Sequence, residues 1–269
     1  MAIRRIPTDI GSLHADINGS GPAIIFWPSL MMDHTLWAPQ VNHFSDRYTT
    51  IAIDPHGHGQ SDPLDREFTL EECAESFIAI LDDLGLEKAH IVGNSWGAMI
   101  GAIFAARHPD RIGCAILANG TASAASEEYR REVSKFCKDV LIPEKRAKFK
   151  DRRAENFLGK TTFSERPDLV KRVVESSESV EPQSASYAVS SVAVNRRDQH
   201  DLLNKICTPC LIIAGSEDRS FPVPELREMA DAIPDAELVI LEKVGHLAAL
   251  EAPEQFNRLL EDFLNRDHR

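Results

Sequence analysis

The sequence has no uninterrupted apolar run near the roughly 18 residues that a membrane span requires, and its first residues, Met1-Ala2-Ile3-Arg4-Arg5-Ile6-Pro7, carry no apolar signal core. No membrane partner is expected, and the expected location is the cytoplasm. Cysteine is scarce: the five residues at 73, 114, 137, 207 and 210 are odd in number and scattered, which argues against a disulfide framework and fits reduced thiols. Cys207-Thr-Pro-Cys210 is the exception to weigh. A redox or zinc role would need a helix after the first cysteine or a second ligand pair, whereas Cys210 opens the apolar run Leu211-Ile212-Ile213-Ala214, so the spacing is read as incidental to a strand entrance. Positive charge is also short. Lys plus Arg total 30 against 42 Asp plus Glu, a net charge of −12 that repels phosphate backbones and excludes nucleic acid as an expected partner. There is no internal repeat and no low-complexity tract.

What is present is a chain of 269 residues, 43% hydrophobic and 27% charged, enough for one large α/β domain or a core with one insertion. Short apolar runs rich in β-branched residues recur at Ala23–Trp27, Tyr48–Ile53, His90–Val92, Ile112–Ala118, Cys210–Ala214 and Leu238–Leu241. Helical spacing separates most of them, at Leu70–Leu84, Trp96–His108, Pro224–Ile233 and Pro253–Leu264. Continuous apolar strands alternating with helices predict an α/β fold with a parallel sheet covered on both faces. Ile3–Ile6 and Ser12–Ile17 are expected to pair as an antiparallel edge before Gly19-Ser20-Gly21-Pro22 turns the chain inward. The alternation stops between Thr121 and His200, where amphipathic helical patterns punctuated by Pro143, Gly159, Pro167 and Pro182 replace strand-like runs. Residues 1–120 and 201–269 are therefore expected to form the core, and 121–200 a helical insertion.

The chemistry concentrates where apolar runs end. His90-Ile91-Val92 leads into Gly93-Asn94-Ser95-Trp96-Gly97 and directly into a helix, the G-x-S-x-G pattern in the strand–turn–helix setting that a nucleophilic serine requires. A serine hydroxyl is a poor nucleophile at neutral pH and needs a base oriented by a carboxylate. Gly215-Ser216-Glu217-Asp218 follows one later run and Val244-Gly245-His246 another. In a parallel sheet both leave from the same edge as Ser95, so the candidates in chain order are Ser95, Asp218 and His246, with Glu217 the competing carboxylate. Each alone has a plain structural alternative: a loop carboxylate, or a core or surface histidine. His56 and His58, with Asp54 and Asp62 nearby, have metal-like spacing, but a structural role in a turn is preferred and no metal or cofactor is expected. Trp27, Met31, Met32, Trp37 and Met99 are candidates for an apolar pocket or for ordinary core.

These motifs resemble the α/β-hydrolase superfamily across the whole core, leaving the insertion largely unmatched. Besides the elbow, the stretch from Asp54 to Asp62, Asp-Pro-His-Gly-His-Gly-Gln-Ser-Asp, resembles the family's turn after the fourth strand. The stretch from Gly245 to Glu254 resembles its histidine loop and final helix start. The resemblance implies a mostly parallel eight-stranded sheet with a helical cap from the insertion, and it places the acid at Asp218, the third residue after the glycine. The family commonly carries His-Gly after the third strand; here the place reads Trp27-Pro28-Ser29-Leu30. Ser-Leu followed seven residues later by Trp37 is similar to enol-lactone hydrolases of aromatic catabolism. That likeness implies an oxyanion hole from the N–H groups of Leu30 and Trp96, with Ser29, Met31, Trp37 and Leu247 around the substrate. The implied activity is a serine esterase or lactonase acting through an acyl-enzyme on a small, largely apolar molecule. Carbon–carbon hydrolases of ring-cleavage products share Gly-Asn-Ser at the elbow but have a glycine-rich oxyanion loop that is absent here. A ligand receptor on the same scaffold is the non-enzymatic alternative. Self-association is left open.

Residues 121–200 carry 16 Lys plus Arg and 13 Asp plus Glu, a local +3 on a remainder of −15, concentrated in the run from Lys145 to Arg153. This basic run is either a solvated helix face or an entrance that steers anionic substrates. Steering predicts that kcat/KM for a carboxylate-bearing ester falls as salt rises while that of its neutral analogue does not, and that reversing Lys148, Lys150 and Arg152 to Glu abolishes the difference. Equal salt dependence for the two substrates would assign the run to ordinary surface.

Overall fold

The apolar runs become strands in the computed structural model, which describes residues 2–146 and 149–266. They are β1 (Ala2–Ile6), β2 (Leu13–Asn18), β3 (Ala23–Trp27), β4 (Thr49–Asp54), β5 (Ala89–Asn94), β6 (Ile112–Ala118), β7 (Cys210–Gly215) and β8 (Ala236–Leu241). One eight-stranded sheet has the order β1-β2-β4-β3-β5-β6-β7-β8. β2 pairs antiparallel with both β1 and β4, and all pairs from β4 to β8 are parallel. β5 and β8 extend beyond the expected apolar runs because polar ends such as Asn94 and Glu237 still join the ladder.

Helices α1 (Ala38–Phe44), α2 (Leu70–Asp83) and α3 (Trp96–Arg107) connect the earlier strands, and α11 (Val223–Ala232), α12 (Ala248–Glu251) and α13 (Pro253–Leu264) follow β7 and β8. Alternation along each strand divides the core. Ile24, Phe26, Val92, Ile116 and Ile213 face Phe44 of α1 and Phe256 and Leu260 of α13. Ile25, Trp27, Ile91, Leu117 and Ile212 face Phe77 of α2, Ile103 and Phe104 of α3, and Leu226 of α11. α2 starts at a capping box: Thr69 accepts the Glu72 N–H at 3.1 Å, and Glu72 accepts the Thr69 N–H at 2.8 Å. α3 is buried from Trp96 to Ala105, so it is apolar all round rather than amphipathic.

Between β6 and β7 the described residues form helices and no strand: α4 (Glu127–Asp139), α5 (Pro143–Arg146), α6 (Lys150–Phe157), α7 (Lys160–Glu165), α8 (Pro167–Ser179), α9 (Pro182–Val189), a π-turn at Ser190–Val194, and α10 (His200–Leu203). Within the basic run, Ala147 and Lys148 lie outside the described residues. Cys137, Val140, Val180, Ala185, Val189 and Ala193 cluster with Met31 from the loop after β3. Three serine hydroxyls fasten the segment to the rest: Ser184 and Ser191 accept the N–H groups of Leu64 (3.0 Å) and Phe68 (2.9 Å), and Ser176 donates to the Met31 carbonyl at 2.9 Å. Among the described residues no helix is long and apolar enough to cross a membrane.

The descent of α3 onto the sheet is set by small residues. A Cβ on Gly97 would fall 2.2 Å from the Trp27 carbonyl oxygen, a backbone atom, whereas one on Gly101 would meet the Leu117 Cδ2, a movable tip, at 2.9 Å. Gly97→Ala is therefore expected to cost about 3 kcal/mol or more, and Gly101→Ala about 1 kcal/mol or less, since helix propensity repays part of the crowding. Urea denaturation of the two variants tests the ranking, and equal midpoints would refute it.

Candidate active site

Ser95 joins β5 to α3 with φ 55° and ψ −106°, a left-handed backbone that a side-chain-bearing residue adopts only under constraint. Backbone proximity supplies that constraint. A Cβ on Gly93 would lie 2.1 Å from the Gly97 carbonyl carbon, so strand and helix can approach this closely only with glycine on both sides of the turn. The Ser95 N–H is held by the Ala118 carbonyl at 2.8 Å, which ties the elbow to the end of β6. The turn leaves Ser95 at the N-terminus of α3, whose uncompensated N–H groups favour negative charge.

The loops after β7 and β8 bring Asp218 to His246, with Nδ1 of the imidazole 2.8 Å from Oδ2 of the carboxylate and both side chains buried. The acid is fixed from several directions. Its Oδ1 accepts the N–H groups of Ser220 (2.7 Å) and Phe221 (3.2 Å), and its Oδ2 also accepts Asn119 Nδ2 at 2.9 Å. A carboxylate at Nδ1 selects the tautomer that carries its proton there, leaving Nε2 as the basic nitrogen. The ring lies between Phe157, stacked at 5.7 Å and 20°, and Phe221 at 5.5 Å. Asn94, next to Ser95, donates to the His246 carbonyl at 3.0 Å and so binds the histidine loop to the elbow. Glu217 turns elsewhere: it accepts the Thr161 N–H and hydroxyl, each at 2.8 Å, and sits 3.8 Å from Lys160 Nζ.

After β3 the chain passes fully buried Ser29 to Leu30 and then Met31, which has φ 62°. The Met31 N–H donates to His58 Nε2 at 3.0 Å, while His58 Nδ1 donates to the His56 carbonyl at 2.9 Å. Burial lowers the His58 pKa, and burial with the nearby His58 and Arg66 lowers that of His56 to about 3, so both imidazoles are neutral and His58 can accept. His56 Nε2 meets the Ser76 hydroxyl at 2.8 Å. The spacing that resembled a metal site thus shapes the loop beside Ser95. After β3 the Met32 N–H donates to the Ser29 carbonyl at 3.2 Å, while the Met31 N–H is taken by His58.

The candidate pocket residues separate. Met31 packs with the helical segment. Trp37 lies in the core between Phe26 (5.2 Å) and Phe256 (5.9 Å), with Met32 and Leu247 in the same cluster, and Trp27 and Met99 pack on the opposite face. Sequence reading missed Asn94 and Asn119, whose signal was an amide at the end of a strand beside a candidate loop. It also missed Phe157 and Phe221, for which no local signal exists. Among the described residues, the group with metal-ligand chemistry is His14, His34 and Asp54, whose ligand atoms lie within 4.8 Å of one another. Asp54 is already engaged by the N–H groups of His34 and Gln60, each at 2.8 Å, and by Nδ1 of His34 (2.6 Å), while Nδ1 of His14 approaches to 3.0 Å without forming a hydrogen bond. The Asp54 bond raises the His34 pKa; burial opposes the Asp54 charge, but the His34 and Gln60 bonds prevail and its carboxyl titrates below the usual range. The cluster joins β2 and the end of β4 to the helical turn at His34.

Comparison with known proteins agrees with this geometry. The chain is 29% identical over 261 residues to 3-oxoadipate enol-lactonase 1 of Acinetobacter baylyi, covering 94% of this chain and 93% of the relative. It is 28% identical over 254 residues to a 2-hydroxy-6-oxononadienedioate/2-hydroxy-6-oxononatrienedioate hydrolase of Dechloromonas aromatica, covering 92% and 85%. Among solved structures, the enol-lactonase from Burkholderia xenovorans superposes with a TM-score of 0.88 at 26% identity, over 98% of this chain and all of that one. A family model described as the alpha/beta hydrolase fold matches residues 22–253, and with an elbow serine, a paired histidine and aspartate, and this sheet order, the chain belongs to the α/β-hydrolase family.

Proposed function

We propose that the protein is a serine hydrolase that cleaves a carboxylic ester or lactone of a small, largely apolar substrate through an acyl-enzyme. The observation that carries this reading is the His246–Asp218 pair, 2.8 Å apart and buried, at the sheet edge where Ser95 holds its constrained turn. His246 Nε2 takes the Ser95 proton as Oγ attacks the carbonyl carbon, and the imidazolium that forms is stabilised by Asp218. The tetrahedral oxyanion accepts hydrogen bonds from the N–H groups of Leu30 and Trp96. His246 then protonates the leaving alcohol or enol oxygen, and water attacks the acyl-enzyme with His246 again as base. The likeness to enol-lactonases supports an ester or lactone substrate.

In this reading residues 121–200 form a cap over the site. The stacking of Phe157 on His246 and the packing of Met31 beneath α4 and α9 support that role and favour an apolar acyl group. A second reading, carbon–carbon hydrolysis of a ring-cleavage product, is favoured by the likeness to the Dechloromonas hydrolase, which is similar over 92% of this chain. Both readings use the same three side chains and differ in the bond broken. Comparing an enol-lactone with a ring-cleavage dienoate as substrate separates them.

Ser95→Ala and His246→Ala are each expected to lower turnover of a p-nitrophenyl ester about 10³-fold or more, and Asp218→Asn to lower it strongly, with the fold retained. An organophosphonate should label Ser95; labelling elsewhere, or a Ser95→Ala variant at full rate, contradicts the assignment. Chelators are expected to leave the rate unchanged, because nucleophile, base and oxyanion donors all come from the chain. Stoichiometric metal that turnover requires would overturn this and direct attention to His14, His34 and Asp54.

A further inference from the structure

Glu251 lies five residues beyond His246, in the stretch whose sequence resembles the family's histidine loop and final helix start. Its carboxylate is turned back into the histidine loop. Oε2 accepts the N–H of Gly245 at 3.0 Å and Oε1 that of Leu247 at 3.1 Å, so one side chain holds the backbone on both sides of His246. Oε2 also accepts the N–H of Gly159 at 2.9 Å, across from the link between α6 and α7. The two segments touch closely there: a Cβ on Gly245 would fall 2.0 Å from the Gly159 nitrogen. The His246 N–H donates to the Phe157 carbonyl at 3.0 Å, two residues before Gly159. Thr162 of α7 adds a hydroxyl contact to the same carboxylate.

This group is costly to keep. Burial pushes the Glu251 carboxyl above the usual glutamate range despite its hydrogen bonds, so the folded protein loses stability as pH rises and the group ionises. A buried carboxylate held against that cost, with three backbone donors converging on it, is explained by what it positions. Resting on the serine-hydrolase reading above, the geometry points to Glu251 as a positioning residue for His246, which fixes the histidine loop and joins it to the 157–159 segment of the helical cap. Glu251 touches no reacting atom. It acts by holding the Gly245 and Leu247 amides so that the imidazole keeps its line between Asp218 and Ser95.

A glutamine in its place offers one acceptor oxygen and turns an NH2 group toward an N–H donor, so at least one side of the loop is released. Glu251→Gln is expected to lower kcat on a p-nitrophenyl ester by about 10- to 100-fold with KM within about threefold, because loss of alignment is felt in the reacting step. Thr162→Val, which leaves all three backbone contacts in place, should keep most of kcat. Should the glutamine variant fail to fold, Glu251→Asp keeps the charge, shortens the reach and should show the same kcat loss. The low-field Nδ1 proton of His246 reports the alignment without turnover: it should be sharp in wild type and broadened or shifted in Glu251→Gln. Unchanged kcat and an unchanged proton resonance in a folded variant would overturn the assignment. If wild-type protein neither turns over esters nor is labelled at Ser95, the hydrolase reading fails, while the His246 resonance still decides whether Glu251 positions the imidazole.

Discussion

The contact on which the rest of the site depends is the approach of α3 to the sheet at the elbow. Gly93 and Gly97 let backbone meet backbone where any side chain would collide, and the Trp27 carbonyl lies directly under the first turn of the helix. Close packing of this kind does not relax in small steps, since interiors have crystal-like density and a misplaced methyl displaces whole elements. Ser95 therefore inherits its left-handed backbone from the packing around it. The strain is held by an apolar helix buried along most of its length, and by the Ala118 carbonyl that takes the serine N–H.

From that fixed point the neighbouring strand ends are tied together by amides and carboxylates. Asn94 reaches the His246 carbonyl, while Asn119 bridges Asp218 and the Gly245 carbonyl at 3.1 Å. β5, β6, β7 and β8 are consecutive in the sheet, so these bonds span one to three strand spacings and the loops after them lie within reach. Buried polar groups in such a network are worth most when every partner is present. The opposite wall is built differently: His58, neutral because it is buried, orients Met31, and Asp54 with His14 and His34 holds the turn that carries His58. One side of the site is thus fixed by carboxylates and amides, the other by imidazoles.

Much of the fold is legible from local pattern. Apolar runs such as Ile112–Ala118 and Cys210–Ala214 mark the strands within a residue or two, because a strand buried on both faces has no polar position to blur it. The gap in the alternation from Thr121 to His200 coincides with the helices between β6 and β7. Strand ends were less legible, since polar residues such as Asn94 keep ladder hydrogen bonds that hydropathy does not report. The apolar candidates were the least legible. Trp37 and Met31 are both large, apolar and buried, yet one fills the core under the sheet and the other meets the helices between β6 and β7.

By itself the sequence determined the strand–helix alternation, the elbow and the chain order of the candidate serine, carboxylate and histidine, because each is written in residues adjacent along the chain and needs only local stereochemistry. The residues alone left Asp218 and Glu217 open and the family resemblance favoured Asp218, but only the tertiary structure supplies the contacts that tell them apart. The two are neighbours of the same charge, and what separates them is that one carboxylate faces His246 and the other Thr161. The same holds for Phe157 on the imidazole and for Glu251 reaching the Gly159 amide. These contacts join residues that are dozens of positions apart, or depend on which way a backbone amide points, and neither property has a signature in composition or periodicity.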